Sequence, residues 1–268
     1  MTQTSKGTAL ITGASSGIGA IYADRLARRG YDLILVARNR ARLADLAERL
    51  GKETGRSVEI VAADLGDRAD LARIEALLKT DTRITLLINN AGVGATAPLL
   101  DSDVDKMEAM ITLNVSALTR LTYAAVPGLV ARGAGTIINI ASVVGIAPEL
   151  LNGVYGGSKA FVLAFTQSLQ KELADRNIRV QAVLPGATAT DFWGIAGKPI
   201  EEVPSEIVMR AEDMVDAALA GLDLGERITI PALPDAADLA AYETARQKLM
   251  PNLSRSKPAT RYGVGLGG

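Results

Sequence analysis

Short apolar runs alternate with longer amphipathic segments along most of this chain. The runs are rich in Val, Ile and Leu and end at Gly, Asn or Asp, which is typical of buried strands. Seven strands are predicted, at 8–12, 32–36, 57–61, 84–88, 135–141, 178–184 and 227–230. Helical periodicity fills the gaps, up to about residue 29 and then at 39–54, 67–79, 103–131, 155–175 and 235–249.

This alternation predicts the fold class. Strand and helix in turn indicate βαβ units with right-handed crossovers, and therefore a doubly wound α/β domain of the Rossmann type. We expect a seven-stranded, mostly parallel sheet with helices on both faces. The domain is predicted to span 1–250, with a C-terminal tail at 251–268. A long stretch with Gly and Pro, 187–205, is predicted to be an irregular lid.

Composition removes several classes of function. The chain has 268 residues, is 48% hydrophobic and has a net charge of −1, so it offers no basic surface for nucleic acid or an anionic membrane. No apolar run reaches the roughly 18 residues that span a bilayer. The first seven residues are polar, unlike an export signal. We therefore expect a cytoplasmic protein with neither nucleic-acid nor membrane partners.

The sequence has no histidine and no cysteine. Histidine bases, Ser-His-Asp triads, histidine-bound zinc and thiolate chemistry are excluded, and no metal site is predicted. The Gly-x-Ser-x-Gly match at 13–17 is therefore not a hydrolase motif. Proton transfer must use Tyr, Lys, Asp, Glu or a hydroxyl.

One pair of residues suits that chemistry. Tyr155 is followed four residues later by Lys159, so the two side chains share one face of a helix. An ammonium beside a phenol stabilises the phenolate and is expected to lower the tyrosine pKa. The spacing alone is also common on plain helix surfaces, so the rest of the chain must support it.

The first βα turn reads Thr12-Gly-Ala-Ser-Ser-Gly-Ile-Gly19. Glycines here let the backbone approach a phosphate, and the following helix offers its N-terminal amides. The spacing differs from Gly-x-Gly-x-x-Gly and resembles the turn of the compact branch of the short-chain dehydrogenase/reductase family. Similarity continues from about residue 7 to 230, through Asn89-Asn-Ala-Gly92, Asn114, Ser142, the Tyr155–Lys159 pair and Pro185-Gly186.

The resemblance implies roles for individual residues. The implied catalytic set is Asn114, Ser142, Tyr155 and Lys159: Tyr155 gives a proton to the carbonyl oxygen while Ser142 orients it. Lys159 holds the nicotinamide ribose, and Asn114 fixes a water. The implied cofactor contacts are Gly13, Ser15, Ser16, Gly17, Ile18, Gly19, Asp64, Leu65, Asn90, Ala91, Gly92, Tyr155, Lys159, Pro185, Gly186, Thr188 and Thr190.

The end of the second strand points to NADP rather than NAD. NAD-dependent enzymes need an acid there for the ribose hydroxyls, but this chain has Ala37 followed by Arg38. A guanidinium binds a 2′-phosphate well. Arg40 and Ser15 are further candidates for that phosphate.

The substrate is predicted to be a mainly apolar ketone, aldehyde or alcohol. The expected contacts are Ser142, Val144, Ile146, Leu150, Leu151, Tyr155, Phe192 and Trp193. Two alternatives stay open: reduction of 3-oxoacyl-carrier protein, and a non-catalytic NADP sensor. The helix around 160–169 is apolar nearly all round, which predicts a homo-oligomer, tetramer or dimer.

Overall fold

The computed structural model describes residues 6–264. Residues 1–5 of the predicted polar start and 265–268 of the predicted tail lie outside the described part. The chain divides into two compact units, with the boundary between Ala232 and Leu233. The predicted domain boundary at 250 stays a prediction.

The first unit is built on a seven-stranded sheet. Its strands are β1 Thr8–Thr12, β2 Asp32–Ala37, β3 Val58–Ala62, β4 Ile84–Asn89, β5 Gly135–Ile140, β6 Ile178–Val183 and, late in the chain, β9 Ile228–Thr229. They are ordered β3-β2-β1-β4-β5-β6-β9, and every neighbouring pair is parallel. The predicted α/β fold is confirmed, with a sheet that is entirely parallel.

Helices cover both faces of the sheet. They are α1 Gly17–Arg28, α2 Arg40–Thr54, α3 Arg68–Thr80, α4 Val104–Ile111, α5 Leu118–Arg132, α6 Gly153–Glu172, α7 Phe192–Ala196 and α8 Ala211–Asp223. Leu33 and Leu35 join the core under α1, α2 and α8, whereas Ile34 and Val36 join the core under α3 and α5. Both faces of β2 are therefore apolar, as in other buried parallel strands.

The predicted helices differ from the structure in two places: one predicted helix is interrupted, and one helix was not predicted. The predicted helix at 103–131 is interrupted by a π-helical turn at Thr112–Ala117, which contains Asn114. The sequence analysis missed α8 altogether. Its buried residues Met214, Val215, Ala218 and Leu222 recur at helical spacing, so the signal was present.

The predicted lid region has regular structure. Besides α7, it contains the two-residue strand β7 Thr188–Ala189, which pairs in parallel with β8 Met209–Arg210 just beyond the predicted region. Three-residue 3-10 turns lie at Ile200–Glu202 and Ser205–Ile207.

The second unit contains helix α9, Ala236–Leu249, which Asp235 caps through a hydrogen bond from the Ala237 amide. None of its residues is buried. Within residues 6–264, no helix has both the length and the apolar character needed to cross a bilayer.

Candidate active site

The order of the sheet places a crevice at the carboxyl ends of β1 and β4. The chain leaves β1 toward β2 and returns at β4 on the other side, which is the switch point where doubly wound proteins bind ligands. A cavity of about 440 Å³ opens here. The residues that line it come from the first turn, the ends of β4, β5 and β6, helix α6 and the 187–207 segment.

The glycine-rich turn is held tightly against the end of β4. Asn90 Nδ2 donates to the carbonyl oxygens of Thr12, at 2.9 Å, and Gly13, at 3.2 Å. Gly13 has φ +66°, and a Cβ there would lie 2.8 Å from Asn90 Nδ2. A Cβ on Gly19 would lie 2.3 Å from the Gly13 carbonyl oxygen. Glycine is therefore required at both positions for steric reasons.

The same turn offers bare backbone to the cavity. Gly13, Ser16 and Gly17 line it, and Ser16 precedes the first residue of α1 without capping the helix through its side chain. A helix N-terminus reached through glycines is a good site for a phosphate group. The residues present therefore fit the diphosphate of a dinucleotide.

Ser142 and Tyr155 meet at the wall of the cavity. Both residues are buried, and an interaction with the Ser142 side chain partly offsets the effect of burial on the Tyr155 pKa. Ser142 Oγ also donates to the Pro185 carbonyl oxygen at 3.3 Å. A substrate oxygen that reached both hydroxyls would find two donors, provided that the Ser142 hydroxyl turns away from Pro185.

Burial controls the titration of the tyrosine–lysine pair. It raises the pKa of Tyr155 from 10.0 to about 12 and lowers the pKa of Lys159 from 10.5 to about 8. The predicted lowering of the Tyr155 pKa by Lys159 is therefore wrong for the ligand-free protein. Lys159 Nζ donates to the Ile140 carbonyl oxygen at 2.9 Å and lies 5.9 Å from the centre of the Tyr155 ring.

Asn114 lies behind Gly92. A Cβ on Gly92 would be 3.0 Å from Asn114 Oδ1 and 3.6 Å from Lys159 Nζ. Asn114 Nδ2 donates to the Val93 carbonyl oxygen at 2.8 Å and to Ser158 Oγ at 3.1 Å. The π-helical turn therefore places this amide beside the lysine, and its predicted role in holding a water stays a prediction.

Most of the predicted residues surround one cavity. Those that line it are Gly13, Ser16, Gly17, Ile18, Asn90, Ala91, Gly92, Ser142, Val144, Leu150, Leu151, Tyr155, Lys159, Pro185, Gly186, Thr188, Thr190, Phe192 and Trp193. Arg38, Asp64 and Leu65 follow β2 and β3 beyond it, with Arg38 and Asp64 exposed. Ile146 was predicted to contact the substrate, but it packs with the core around Val162 and Leu184 instead.

The lid segment carries much of the apolar wall. The Phe192 ring lies 5.6 Å from the Tyr155 ring and contacts Trp193 edge-on at 5.9 Å. Trp193 Nε1 donates to the Thr188 carbonyl oxygen at 3.0 Å, so this side chain both lines the cavity and anchors the segment. Ile195 and Ile207, which the sequence analysis did not single out, complete the apolar rim.

The two glycines after Tyr155 have structural roles that differ. A Cβ on Gly156 would lie 2.9 Å from the Pro148 backbone, so this glycine permits close packing of the Pro148 turn. Gly157 is exposed, and a Cβ there would meet no other atom within 4 Å. Neither glycine lines the cavity.

Comparison with known proteins defines the family. The family model for short chain dehydrogenases matches residues 7–199. This protein belongs to the short-chain dehydrogenase/reductase family, as the motifs predicted.

Two solved structures are particularly similar. A short-chain dehydrogenase from Sphingobium yanoikuyae in complex with NADPH is 50% identical, with a TM-score of 0.92 over 94% of this chain and 98% of the other. The bulky-bulky ketone specific alcohol dehydrogenase from Comamonas testosteroni is 44% identical, with a TM-score of 0.89 over 97% and 99%. Sulfoacetaldehyde reductase 2 from Chromohalobacter salexigens is 40% identical over 68% of this chain and 73% of its own length.

Proposed function

We propose that this protein is an NADPH-dependent reductase of ketones and aldehydes with bulky apolar substituents, and the dehydrogenase of the corresponding alcohols. The observation that carries the proposal is the position of the Ser142–Tyr155 hydroxyl pair in the wall of a mainly apolar cavity. Val144, Leu151 and Phe192 face that cavity on the substrate side. Burial of apolar surface, worth about 25 cal/mol per Å², would supply most of the binding free energy.

The chain's own residues would carry the proton chemistry. Bound NADPH supplies a hydride to the carbonyl carbon, and the carbonyl oxygen gains negative charge. Tyr155 would give its proton to this oxygen, and Ser142 would hold the oxygen by a hydrogen bond. The high pKa of the buried Tyr155 keeps the phenol protonated at neutral pH, which suits a proton donor. The reverse reaction requires the phenolate and is expected to favour higher pH.

Arg38 supports the choice of NADPH. It is exposed at the end of β2, where it follows Ala37, and it forms no ion pair among residues 6–264. A cation that is not already paired can bind the 2′-phosphate without first losing a partner. The NADPH complex of the Sphingobium relative supports the same assignment.

A second candidate is a carbonyl substrate with an acidic group remote from the reacting carbon. Lys198 is half-buried in the cavity lining and has no ion-pair partner in the described part of the chain. It could face a carboxylate or sulfonate, and the sulfoacetaldehyde reductase shows that a relative acts on an anionic aldehyde.

One experiment separates the two candidates. NADPH oxidation is measured with an aryl ketone that has two bulky substituents and with a keto acid of similar size, in the wild type, Trp193→Ala and Lys198→Met. We expect the ketone to have the higher kcat/KM, and we expect Trp193→Ala to reduce that preference. A keto acid preferred by the wild type and lost in Lys198→Met would replace the first candidate with the second.

We also propose a homo-oligomer formed through α5 and α6. Tyr123, Phe161 and Phe165 form a row of stacked rings, with centroid separations of 6.4 Å and 5.7 Å, and Tyr123 is 70% exposed. Tyr123 and Phe161 are exposed while Phe165 is partly buried against the core, and exposed aromatic rings favour burial against a partner. Light scattering at micromolar concentration should give a dimer or tetramer for the wild type and a smaller species for Phe161→Glu.

A further inference from the structure

Asn152 lies outside the family motifs, and its side chain accepts a hydrogen bond from the backbone of Tyr155. It precedes α6 and is 4% exposed. Its Oδ1 accepts hydrogen bonds from the amides of Val154, at 2.9 Å, and Tyr155, at 3.3 Å. Tyr155 lies in the first turn, where amides have no acceptor within the helix. The Asn152 side chain supplies that acceptor.

The amide nitrogen of the same side chain binds a different part of the molecule, the loop at 97–102. Asn152 Nδ2 donates to the Ala97 carbonyl oxygen at 2.7 Å and to Ser102 Oγ at 3.1 Å. Ser102 Oγ in turn donates within this loop, to the Pro98 carbonyl oxygen at 2.8 Å. The loop at 97–102 begins five residues after Gly92, and the Asn90–Gly92 segment lines the cavity where the cofactor is expected. All the polar groups of the buried Asn152 amide are thus used, in two directions.

The helix needs such support at this point. Gly153, Gly156 and Gly157 surround Tyr155, and glycine is among the least favourable residues inside a helix. On the other side of the peptide, Ser158 Oγ donates to the Tyr155 carbonyl oxygen at 2.8 Å, and Asn114 donates to that hydroxyl. Asn152 and the Asn114–Ser158 pair therefore hold the Tyr155 backbone at its N–H and its C=O.

We propose that Asn152 is a positioning residue for hydride transfer. By joining the start of α6 to the 97–102 loop, its side chain fixes Tyr155 against the cofactor side of the cavity. The inference rests on the proposed role of Tyr155 as proton donor. A displacement of the phenol by about 1 Å would lower the rate on the order of a hundredfold, although the phenol itself is intact.

The test compares four variants with the wild type. Asn152→Ala removes the hydrogen bonds to the α6 amides and those to the 97–102 loop, whereas Asn152→Ser keeps an acceptor for the α6 amides. Ser102→Ala removes one of the two contacts that Asn152 makes with the loop. Asp235→Ala is the matched control, because it deletes the cap of α9 and Asp235 is not among the residues that line the cavity. Each is measured for kcat, ketone KM, NADPH Kd, melting temperature and the primary isotope effect on kcat with NADPH deuterated at the transferred position.

For Asn152→Ala we expect kcat to fall on the order of tenfold to a hundredfold, with NADPH Kd within about threefold of the wild type. The isotope effect should rise, because hydride transfer becomes more rate-limiting, whereas simple loss of folded enzyme would leave it unchanged. Asn152→Ser should recover most of the rate, Ser102→Ala should show a smaller loss, and Asp235→Ala should show none.

Two results would overturn the inference: a kcat for Asn152→Ala within about twofold of the wild type, or a loss that leaves the isotope effect unchanged. A Tyr155→Phe reference separates this failure from that of the proposed function. If Tyr155→Phe keeps its turnover, the proton comes from another group and the proposed function fails. If it is inactive while Asn152→Ala is normal, only the positioning role fails.

Discussion

The two walls of the cavity are built differently. The wall at the strand ends carries Ser142, just after β5, and Tyr155 and Lys159 on α6, and all three are buried. Ser142 and Lys159 donate hydrogen bonds to the carbonyl oxygens of Pro185 and Ile140. The opposite wall, from 187 to 207, consists of a five-residue helix, one two-residue strand and short turns, with Ile195 and Ile207 at least 60% exposed. We therefore expect the chemistry to depend on the wall next to the sheet, and substrate selection to depend on the wall built from short elements.

The sharpest test of the fixed wall is Tyr155→Phe. It removes the proposed proton donor without removing any predicted phosphate contact, so turnover should fall by about 10²- to 10⁴-fold with NADPH binding nearly unchanged. Ketone reduction and NADPH fluorescence titration measure the two quantities.

Tyr22→Phe is the matched control. Tyr22 is fully buried in α1, and its hydroxyl has no hydrogen-bond partner among residues 6–264. Removal of that hydroxyl should leave turnover as in the wild type. Substantial reduction by Tyr155→Phe, with Tyr22→Phe normal, would contradict the assignment of Tyr155.

The buried lysine gives the fixed wall a pH signature. Its folded-state pKa is about 8 and its ordinary value 10.5, so between these pH values the unfolded chain binds more protons than the folded protein. The free energy of unfolding of the ligand-free protein should therefore rise with pH across this window, by at most about 3 kcal/mol. Lys159→Met should abolish the rise.

Urea denaturation at about pH 8 and about pH 9.5 measures this change. Tyr155→Phe is the control: the raised pKa of Tyr155 affects stability only above its unfolded value of 10.0, so this variant should keep the rise. A Lys159→Met protein with the wild-type pH dependence would show that the lysine is not the group responsible.

We expect cofactor choice to depend on Arg38, which does not line the cavity. Arg38→Ala should weaken NADPH binding by about tenfold to a hundredfold, because a charge-assisted hydrogen bond contributes about 1.5–3 kcal/mol, and should leave NADH binding nearly unchanged. Dissociation constants for both cofactors test this. Arg176→Ala removes another exposed arginine and should change neither constant. Equal affinity of the wild type for NADPH and NADH would refute the role of Arg38.

The contrast between the walls also explains which features could be predicted from the sequence. The strands and the site residues at their ends follow from local patterns, since one parallel sheet brings all its carboxyl ends to one edge. Asn152 carried a weaker signal: it stands three residues before Tyr155 and next to a glycine, where an N-cap is plausible. Its second set of partners, at Ala97 and Ser102, is distant in sequence and was not predictable.

Titration was predicted least well. The spacing of Tyr155 and Lys159 shows that the two groups share a helix face, but not how much water surrounds them. Desolvation by burial raises the pKa of Tyr155 and lowers that of Lys159, which favours the neutral form of each. The depth of burial depends on Phe192 and the 187–207 segment, whose packing does not follow a simple periodicity.

Gly94 is where the two walls touch, and its replacement should have the smallest effect. A Cβ there would lie 2.1 Å from Cζ of Phe192, so Gly94→Ala must push this ring away from its position beside Tyr155. Overpacking typically costs about 1–3 kcal/mol, and we expect kcat/KM for a bulky ketone to fall on the order of tenfold. The added Phe192→Leu change should restore part of the loss, because the shorter side chain leaves room for the methyl group.

Gly157→Ala is the matched control, since nothing lies near its Cβ position, and it should be at least as stable as the wild type. If Gly94→Ala and Gly157→Ala behave alike, the lid wall moves aside freely, and Phe192 does not select the substrate.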